Sequence, residues 1–172
     1  MKKAPGKIYL ALGANLPHPL HGSPVATLQV ALNALKQCNI LPVRISPWYR
    51  SAPVPASDQP WYVNGVAEVE TNLSADTLLI QLHAVEAELG RVRGTLNAAR
   101  QIDLDLIDYG GEIAPGGPGR AILPHPRLAE RAFVLKPLAD LAPDWRHPVT
   151  GAAISDLLAA LPPGQLTERV QP

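Results

Sequence analysis

Hydrophobic and polar positions along the chain change period several times, and each change marks an element. Residues 7–12 form a short apolar run that reads as a buried strand, closed by a turn at Gly13, Ala14 and Asn15. A polar Pro/Gly/His loop at 17–22 follows, and then Ser23 and Pro24 supply a capping hydroxyl and a first-turn proline. Leu28, Ala31, Leu32 and Leu35 recur at helical spacing and predict a helix running to about Gln37. Leu41, Val43 and Ile45 alternate, predicting a second strand over 40–49, and a proline-bounded loop covers 51–60. A third strand is expected over 61–71, with Val63 on one face with Ala67 and Val69. Ser74 caps a second helix that ends at Gly90 and carries Leu78, Leu79, Leu82, Val85 and Leu89 as its stripe.

Beyond a polar loop at 91–101, residues 102–109 alternate strongly and predict a fourth strand. A Gly/Pro-rich turn region is expected at 110–119, a short helix at 128–135 and a final helix at 154–161. The order β-α-β-β-α-β matches the ferredoxin-like split βαβ arrangement, an α+β fold whose antiparallel sheet carries both helices on one face. C-terminal helices and loops would cover the other face, giving three α/β/α layers. No repeat or long linker divides the chain, so residues 1–172 read as one domain with a core at about 8–161.

Composition narrows the function. Hydrophobic residues make up 47% and charged residues 17%, which excludes a disordered chain. Lysine plus arginine equals aspartate plus glutamate, 15 against 15, so a general nucleic-acid binder is not expected. The single cysteine, Cys38, excludes an internal disulfide, and no apolar stretch approaches the roughly 18 residues of a membrane helix. A cytoplasmic protein without membrane attachment is the expectation.

The cations are unevenly placed. Arg91, Arg93, Arg100, Arg120, Arg127 and Arg131 cluster in a region without lysine, and an arginine fork matches phosphate oxygens as a lysine cannot. Within that region Asp103 and Asp105 share one face of the fourth strand, while Ile102, Leu104 and Leu106 take the other. By strand rise their Cα atoms lie about 6.5–7 Å apart, close enough for both carboxylates to converge on hard cations such as Mg²⁺ held with substrate phosphates. Asp-x-Asp alone would read as a solvated acidic face. Arg100 just upstream shifts the reading toward phosphoryl transfer. The chain contains neither a Walker motif nor a G-x-G-x-x-G, so any ATP must be held by arginines, metals and loop amides.

Six ordered segments carry a closer resemblance. They are Tyr9-Leu-Ala-Leu-Gly-Ala-Asn-Leu16, Tyr49-Arg-Ser-Ala-Pro-Val54, Asp58-Gln-Pro-Trp-Tyr-Val-Asn64, Glu86 through Gly90-Arg-Val-Arg93, Ile102-Asp-Leu-Asp-Leu106, and Leu123-Pro-His-Pro-Arg-Leu128 with Glu130-Arg-Ala-Phe-Val-Leu135. In order and spacing the chain resembles the 6-hydroxymethyl-7,8-dihydropterin pyrophosphokinase family over about 8–161. The resemblance implies transfer of the ATP diphosphate to the hydroxymethyl group of 6-hydroxymethyl-7,8-dihydropterin, with AMP leaving, in folate biosynthesis.

The same resemblance implies the site. Asp103 and Asp105 would hold two Mg²⁺ ions, with Arg91 and Arg100 assisting the chemical step. Arg93, His125 and Arg131 would bind phosphates beside Arg100, and Leu106, Arg120 and Ile122 would line the nucleotide pocket. His83 and Glu86 fall at helix positions facing the nucleotide. Tyr62 and Phe133 would sandwich the pterin, while Asn64 and the backbone from Ser51 to Val54 would read its polar edge. Partners would be ATP and the pterin, acting on a monomer, with a homodimer as the alternative.

One stretch departs from the family. Where relatives carry Arg-Trp-Gly-Pro-Arg, this chain reads Leu96-Asn-Ala-Ala-Arg100, losing the first arginine and the tryptophan. A loop with so little to bury is expected to be mobile without ligand. Pro126 also stands where relatives have tyrosine, and the 17–22 loop is longer than usual. The departure admits a non-catalytic nucleotide- or pterin-binding paralogue as a second reading. A ferredoxin-like RNA-binding module is disfavoured by zero net charge and by the lack of closely spaced aromatics.

Overall fold

The computed structural model describes residues 6–92, 94 and 99–171. Its first strand, β1 (Ile8–Ala14), is buried along almost its whole length and lies between two antiparallel neighbours, β4 (Tyr62–Glu70) and β5 (Asp103–Tyr109). Gly13 and Ala14 extend this strand instead of turning, because both keep their pairing with β4. On the far side of β4 lie two further strands, β2 (Leu41–Ile45) and β3 (Tyr49–Ser51). The expected single strand over 40–49 is therefore two. The break falls at Ser46, whose hydroxyl accepts from the Val66 N–H at 2.9 Å and so occupies β4 where the ladder stops. Leu41, Val43 and Ile45 are 50%, 39% and 45% exposed, since β2 is an edge strand with a register shift in its middle.

Two helices cover one sheet face. Helix α1 (Pro24–Gln37) starts at Ser23, whose Oγ accepts from Ala26 N–H, and stops where Asn39 takes a left-handed φ of 59°. Helix α2 (Ala75–Glu88) starts at Ser74 in the same way and buries Leu78, Leu82 and Val85. These side chains pack on Ile8, Leu10, Leu12, Ala67, Val69 and Leu104. The opposite face carries α3 (Ala132–Leu141) and α4 (Ile154–Ala159), packed on Tyr9, Val66 and Ile107. The result is a mixed α+β fold with one sheet between two helical layers.

Several elements differ from expectation. The turn region 110–119 holds a strand, β6 (Ala114–Gly117), paired with β7 (Arg120–Leu123) as a hairpin. The helix expected at 128–135 is one 3-10 turn, Leu128–Glu130, followed by the longer α3, which contains Pro137. Pro137 forfeits one backbone donation, yet six buried side chains hold α3 to the sheet regardless. A short strand, β8 (Thr167–Arg169), pairs with β3 and was not expected at all. Within the loop at 91–101, Arg93 and residues 95–98 lie outside the described residues.

Candidate active site

Strand β5 forms one edge of the sheet, and its alternation sorts the site. Ile102, Leu104 and Leu106 enter the core beneath α1 and α2. Asp103 and Asp105 share the other face with Ile107, which α3 and its neighbours bury. The two aspartates are thus not on an open solvated surface. They sit at the end of that face where the α3 layer stops, with side chains 24% and 34% exposed.

Each Asp103 oxygen has its own arginine. Oδ1 accepts from Arg91 Nη1 at 2.7 Å, and Oδ2 accepts from Arg100 Nη1 at 2.8 Å. Arg91 Nη1 also donates to Glu86 Oε1, and the same oxygen accepts from the Leu104 N–H at 2.7 Å. Burial works against the Arg91 charge, but Asp103 and Glu86 outweigh it and its pKa is raised. Burial raises the Glu86 pKa as well, held back by the Leu104 N–H and by Arg91. Glu86, expected to face nucleotide, is 1% exposed and reaches inward to Arg91 and the β5 backbone.

Asp105 has looser company: Arg131 Nη1 lies 3.9 Å and His125 Nε2 4.0 Å from its Oδ2. Burial, then repulsion from Asp103, pushes the Asp105 carboxyl up to about 7. Burial and the positive Arg131 push His125 down to about 4. His125 Nδ1 accepts from the Arg127 N–H at 3.1 Å, so the neutral ring presents its proton on Nε2, toward Asp105. Among the described residues no three His, Cys, Asp or Glu side chains cluster as a closed metal cage. Two carboxylates on one strand face instead fit a Mg²⁺ ion whose remaining ligands come from phosphate and water.

The residues that the resemblance assigns to the pterin adjoin this cluster. Asn64, Phe133, Gly13, Asp103 and Asp105 line one small cleft. Asn64 Nδ2 donates to Ser51 Oγ at 2.6 Å, and both residues are buried. Phe133 is half-buried at the start of α3, with the Arg131 guanidinium 5.5 Å from its ring centroid. Tyr62 lies within electrostatic reach of Arg100 and Asp103, and burial raises its pKa. Val54 is exposed on the loop that follows β3.

The residues that the resemblance assigns to the nucleotide are more dispersed. Leu106 has its side chain in the core, so only its backbone can face a nucleotide. The Leu104 N–H points off the free edge of β5 toward Glu86, and strand alternation gives Leu106 the same edge. Arg120 and Ile122 are exposed on β7, which Asp76 of α2 anchors by accepting from the Ala121 N–H at 2.8 Å. His83 is half-buried on the α2 face that also carries Asp76 and Glu86.

Asn15 carries a role that its local sequence does not announce. Its side chain, 1% exposed, accepts from the Arg100 N–H at 2.8 Å and donates to Gln59 Oε1 at 3.2 Å and Pro60 O at 3.0 Å. Its own N–H and that of Leu16 both donate to Arg100 O. Asn15 therefore fixes the Arg100 backbone from both sides. The sequence carries no local signal for this, since its partners Arg100, Gln59 and Pro60 come from distant parts of the chain.

A family model described as 7,8-dihydro-6-hydroxymethylpterin-pyrophosphokinase (HPPK) matches residues 9–143. The chain is 43% identical over 160 residues to the 2-amino-4-hydroxy-6-hydroxymethyldihydropteridine pyrophosphokinase of Pseudomonas aeruginosa, covering 91% of this chain and 92% of that one. The enzyme of the same name from Methylorubrum extorquens is 37% identical over 166 residues, 96% of this chain and 99% of that one. In fold, the chain resembles an HPPK-DHPS solved in complex with substrates, with a TM-score of 0.66, 11% identity, and coverage of 91% of this chain and 44% of the other.

Proposed function

The chain belongs to the 7,8-dihydro-6-hydroxymethylpterin-pyrophosphokinase family and is a pterin pyrophosphokinase of folate biosynthesis; from that premise we propose how its own residues perform the transfer. The observation that carries the proposal is the run Arg91–Asp103–Arg100 beside Asp105, opening onto the cleft of Phe133 and Asn64. Cations, carboxylates and an aromatic side chain meet there, which suits phosphoryl transfer to a flat heterocycle. Nothing in this arrangement favours the non-catalytic reading, since the acidic pair and both arginines are present and joined. We read the strand order β5-β1-β4-β3 as the ferredoxin-like split βαβ plan, with residues 1–172 forming one domain.

The acceptor hydroxyl oxygen attacks the β-phosphorus of ATP, the bond from that phosphorus to the α-β bridging oxygen breaks, and AMP leaves with the bridging oxygen. The hydroxyl proton passes to solvent or to a phosphate oxygen, so no side chain is needed as general base. Arg91 and Arg100 donate to the diphosphate as it moves, while Arg131 and the Nε2–H of His125 hold phosphate oxygens on the Asp105 side. Phe133 and Tyr62 stack on the pterin, and Asn64, pinned by Ser51, reads its polar edge with the Val54 loop. Asp103 and Asp105 would hold Mg²⁺, which when bound neutralises phosphate charge. Arg120, Ile122, His83 and the Leu106 backbone would receive the nucleoside end.

Every group invoked comes from one chain, which supports a monomer as the working unit. The free Cys38 supports a reducing, cytoplasmic setting; among the described residues no helix is long and apolar enough to cross a membrane. The test is AMP release from ATP plus 6-hydroxymethyl-7,8-dihydropterin across a Mg²⁺ titration. Turnover that persists with excess chelator would overturn the metal assignment, and ATP cleavage without pterin diphosphate would overturn the acceptor.

A further inference from the structure

The start of α3 carries Arg131 and Phe133, yet neither side chain caps the helix. The cap comes from 33 residues away: Gln165 Oε1 accepts from the Ala132 N–H at 2.9 Å, and Gln165 Nε2 donates to Glu130 O at 2.8 Å. These two backbone groups flank Arg131, where the chain leaves an extended conformation (φ −113°, ψ 108°) and enters the helix. One amide thus fixes the backbone on both sides of Arg131 and sets the first turn, from which Phe133 projects.

Gln165 is itself anchored to the opposite wall of the cleft. Leu166 O accepts from the Ala52 N–H at 3.0 Å, Thr167 pairs with Ser51, and Val170 N–H donates to Trp48 O at 2.8 Å. Lys136 Nζ of α3 donates to Thr167 O at 2.8 Å. Segment 165–170 therefore joins β3, which carries the Ser51 that pins Asn64, to the helix that carries Phe133. Apart from this strap, Tyr49 of β3 donates to Asp140 Oδ2 at 2.5 Å, two turns further along α3 from Phe133.

We infer that Gln165 is a positioning residue for the pterin cleft, setting Arg131 and Phe133 against Asn64 through the backbone of the α3 N-terminus. The inference rests on the assignment of Phe133 to the pterin. Without Gln165 the first turn of α3 loses its cap while the buried side chains from Val134 to Leu141 keep the helix in place. The loss therefore falls on the cleft more than on the fold.

The experiment measures 6-hydroxymethyl-7,8-dihydropterin affinity, with a non-hydrolysable ATP analogue present, for Gln165→Ala, Gln165→Glu, Phe133→Ala and the double variant Gln165→Ala/Phe133→Ala. Loss of two hydrogen bonds predicts about a tenfold weaker Kd for Gln165→Ala. Gln165→Glu keeps the acceptor for Ala132 N–H but loses the donor to Glu130, so it should fall between. In the Phe133→Ala background removal of Gln165 should change the Kd far less, because its effect runs through that ring. Glu168→Ala, on the same strap but paired with exposed Arg50 at 3.2 Å, should bind as wild type. A Gln165→Ala enzyme that loses thermal stability but binds pterin as wild type overturns the inference, as do additive effects in the double variant. If Phe133→Ala also binds normally, the pterin assignment fails with it; if only the Gln165 variant does, this inference alone fails. Should Gln165→Ala not fold, Gln165→Glu carries the same comparison.

Discussion

Arg91 donates from Nη1 to Oδ1 of Asp103 across 2.7 Å, and Glu86, 1% exposed, holds that same nitrogen from the other side. The cation is thereby fixed in place before any phosphate arrives, which lowers the ordering cost of the transfer. Glu86 acts here through another residue. Glu86→Ala removes one anchor of Arg91 and leaves the buried Leu104 N–H without its acceptor, a cost of about 1–3 kcal/mol. Thermal denaturation should show that loss, and kcat should fall while ATP affinity changes little. Unchanged kcat would mean that Asp103 alone suffices to place Arg91.

Asp103→Asn and Asp105→Asn should each reduce turnover by about 100-fold or more with circular dichroism unchanged. Neither side chain enters the core beneath α1 and α2, so the fold does not need its charge. The two variants should differ in stability. Asp103→Asn disrupts two arginine contacts of 2.7 and 2.8 Å, whereas Asp105→Asn relieves a half-buried carboxyl beside Asp103 that is already pushed up to about 7. Asp105→Asn should be at least as stable as wild type near neutral pH. Wild-type turnover in either variant would remove that residue from the catalytic set.

Phe133→Ala should weaken pterin binding several-fold more than ATP binding. A stacked aromatic contributes roughly 0.5–1.5 kcal/mol beyond its buried area. Phe133 only borders the cluster formed by Val134, Leu135 and Leu138, so the fold should survive. Isothermal calorimetry with each ligand separates the cases, and equal losses for both would make Phe133 a general packing residue.

Arg100 meets Asp103 with its side chain and Asn15 with its backbone. Arg100→Ala should lower kcat strongly and shift ATP dissociation modestly, as for a contact made mainly in the transition state. Arg100→Lys should not restore it, because an ammonium cannot reproduce the fork. Asn15→Ala, with Arg100 intact, should lower kcat in the same direction by freeing the Arg100 backbone. Single-turnover kinetics decide, and an Asn15→Ala enzyme with normal kcat would show that the side-chain contact positions Arg100 by itself.

What the chain's own pattern made legible were features with short-range causes. Ser23 and Ser74 cap helices through hydrogen bonds three residues ahead, and the faces of Asp103 and Leu104 follow from strand alternation alone. Features set by distant partners were not legible. Leu41, Val43 and Ile45 look like core, but their exposure depends on which strand ends the sheet. Pro137 argues against a long helix by local rules, yet burial of Leu135, Leu138 and Leu141 outweighs the lost hydrogen bond. The inward hold on Glu86 was not legible because Arg91 and the Leu104 N–H, which meet its Oε1, come from other elements. Asn15 and Gln165 are ordinary polar residues until the fold brings Arg100 and the α3 N-terminus to them. β8 escaped notice because Thr167–Arg169 is only three residues with two charges.

Gly13 offers the sharpest separation of cleft from fold. It pairs with Asn64 in the β1–β4 ladder, and a methyl group on it would lie 2.9 Å from Asn64 Oδ1, closer than packed atoms tolerate. Its strand conformation accepts any L-residue, so Gly13→Ala adds no backbone strain and gains about 0.4–1 kcal/mol from the less flexible unfolded chain. That gain offsets the clash, and thermal stability should stay near wild type. The clash itself falls on Asn64, whose amide must rotate away from the 2.6 Å hydrogen bond it donates to Ser51. Pterin affinity should therefore drop about fivefold, the worth of roughly one hydrogen bond, while ATP affinity holds. Gly13→Ala should cost nothing further in an Asn64→Ala background, where the space is open and the contact already gone. Calorimetry on the four enzymes of this cycle tests it: an unchanged pterin Kd in Gly13→Ala, or additive losses in the double variant, would show that Asn64 does not read the substrate from this position.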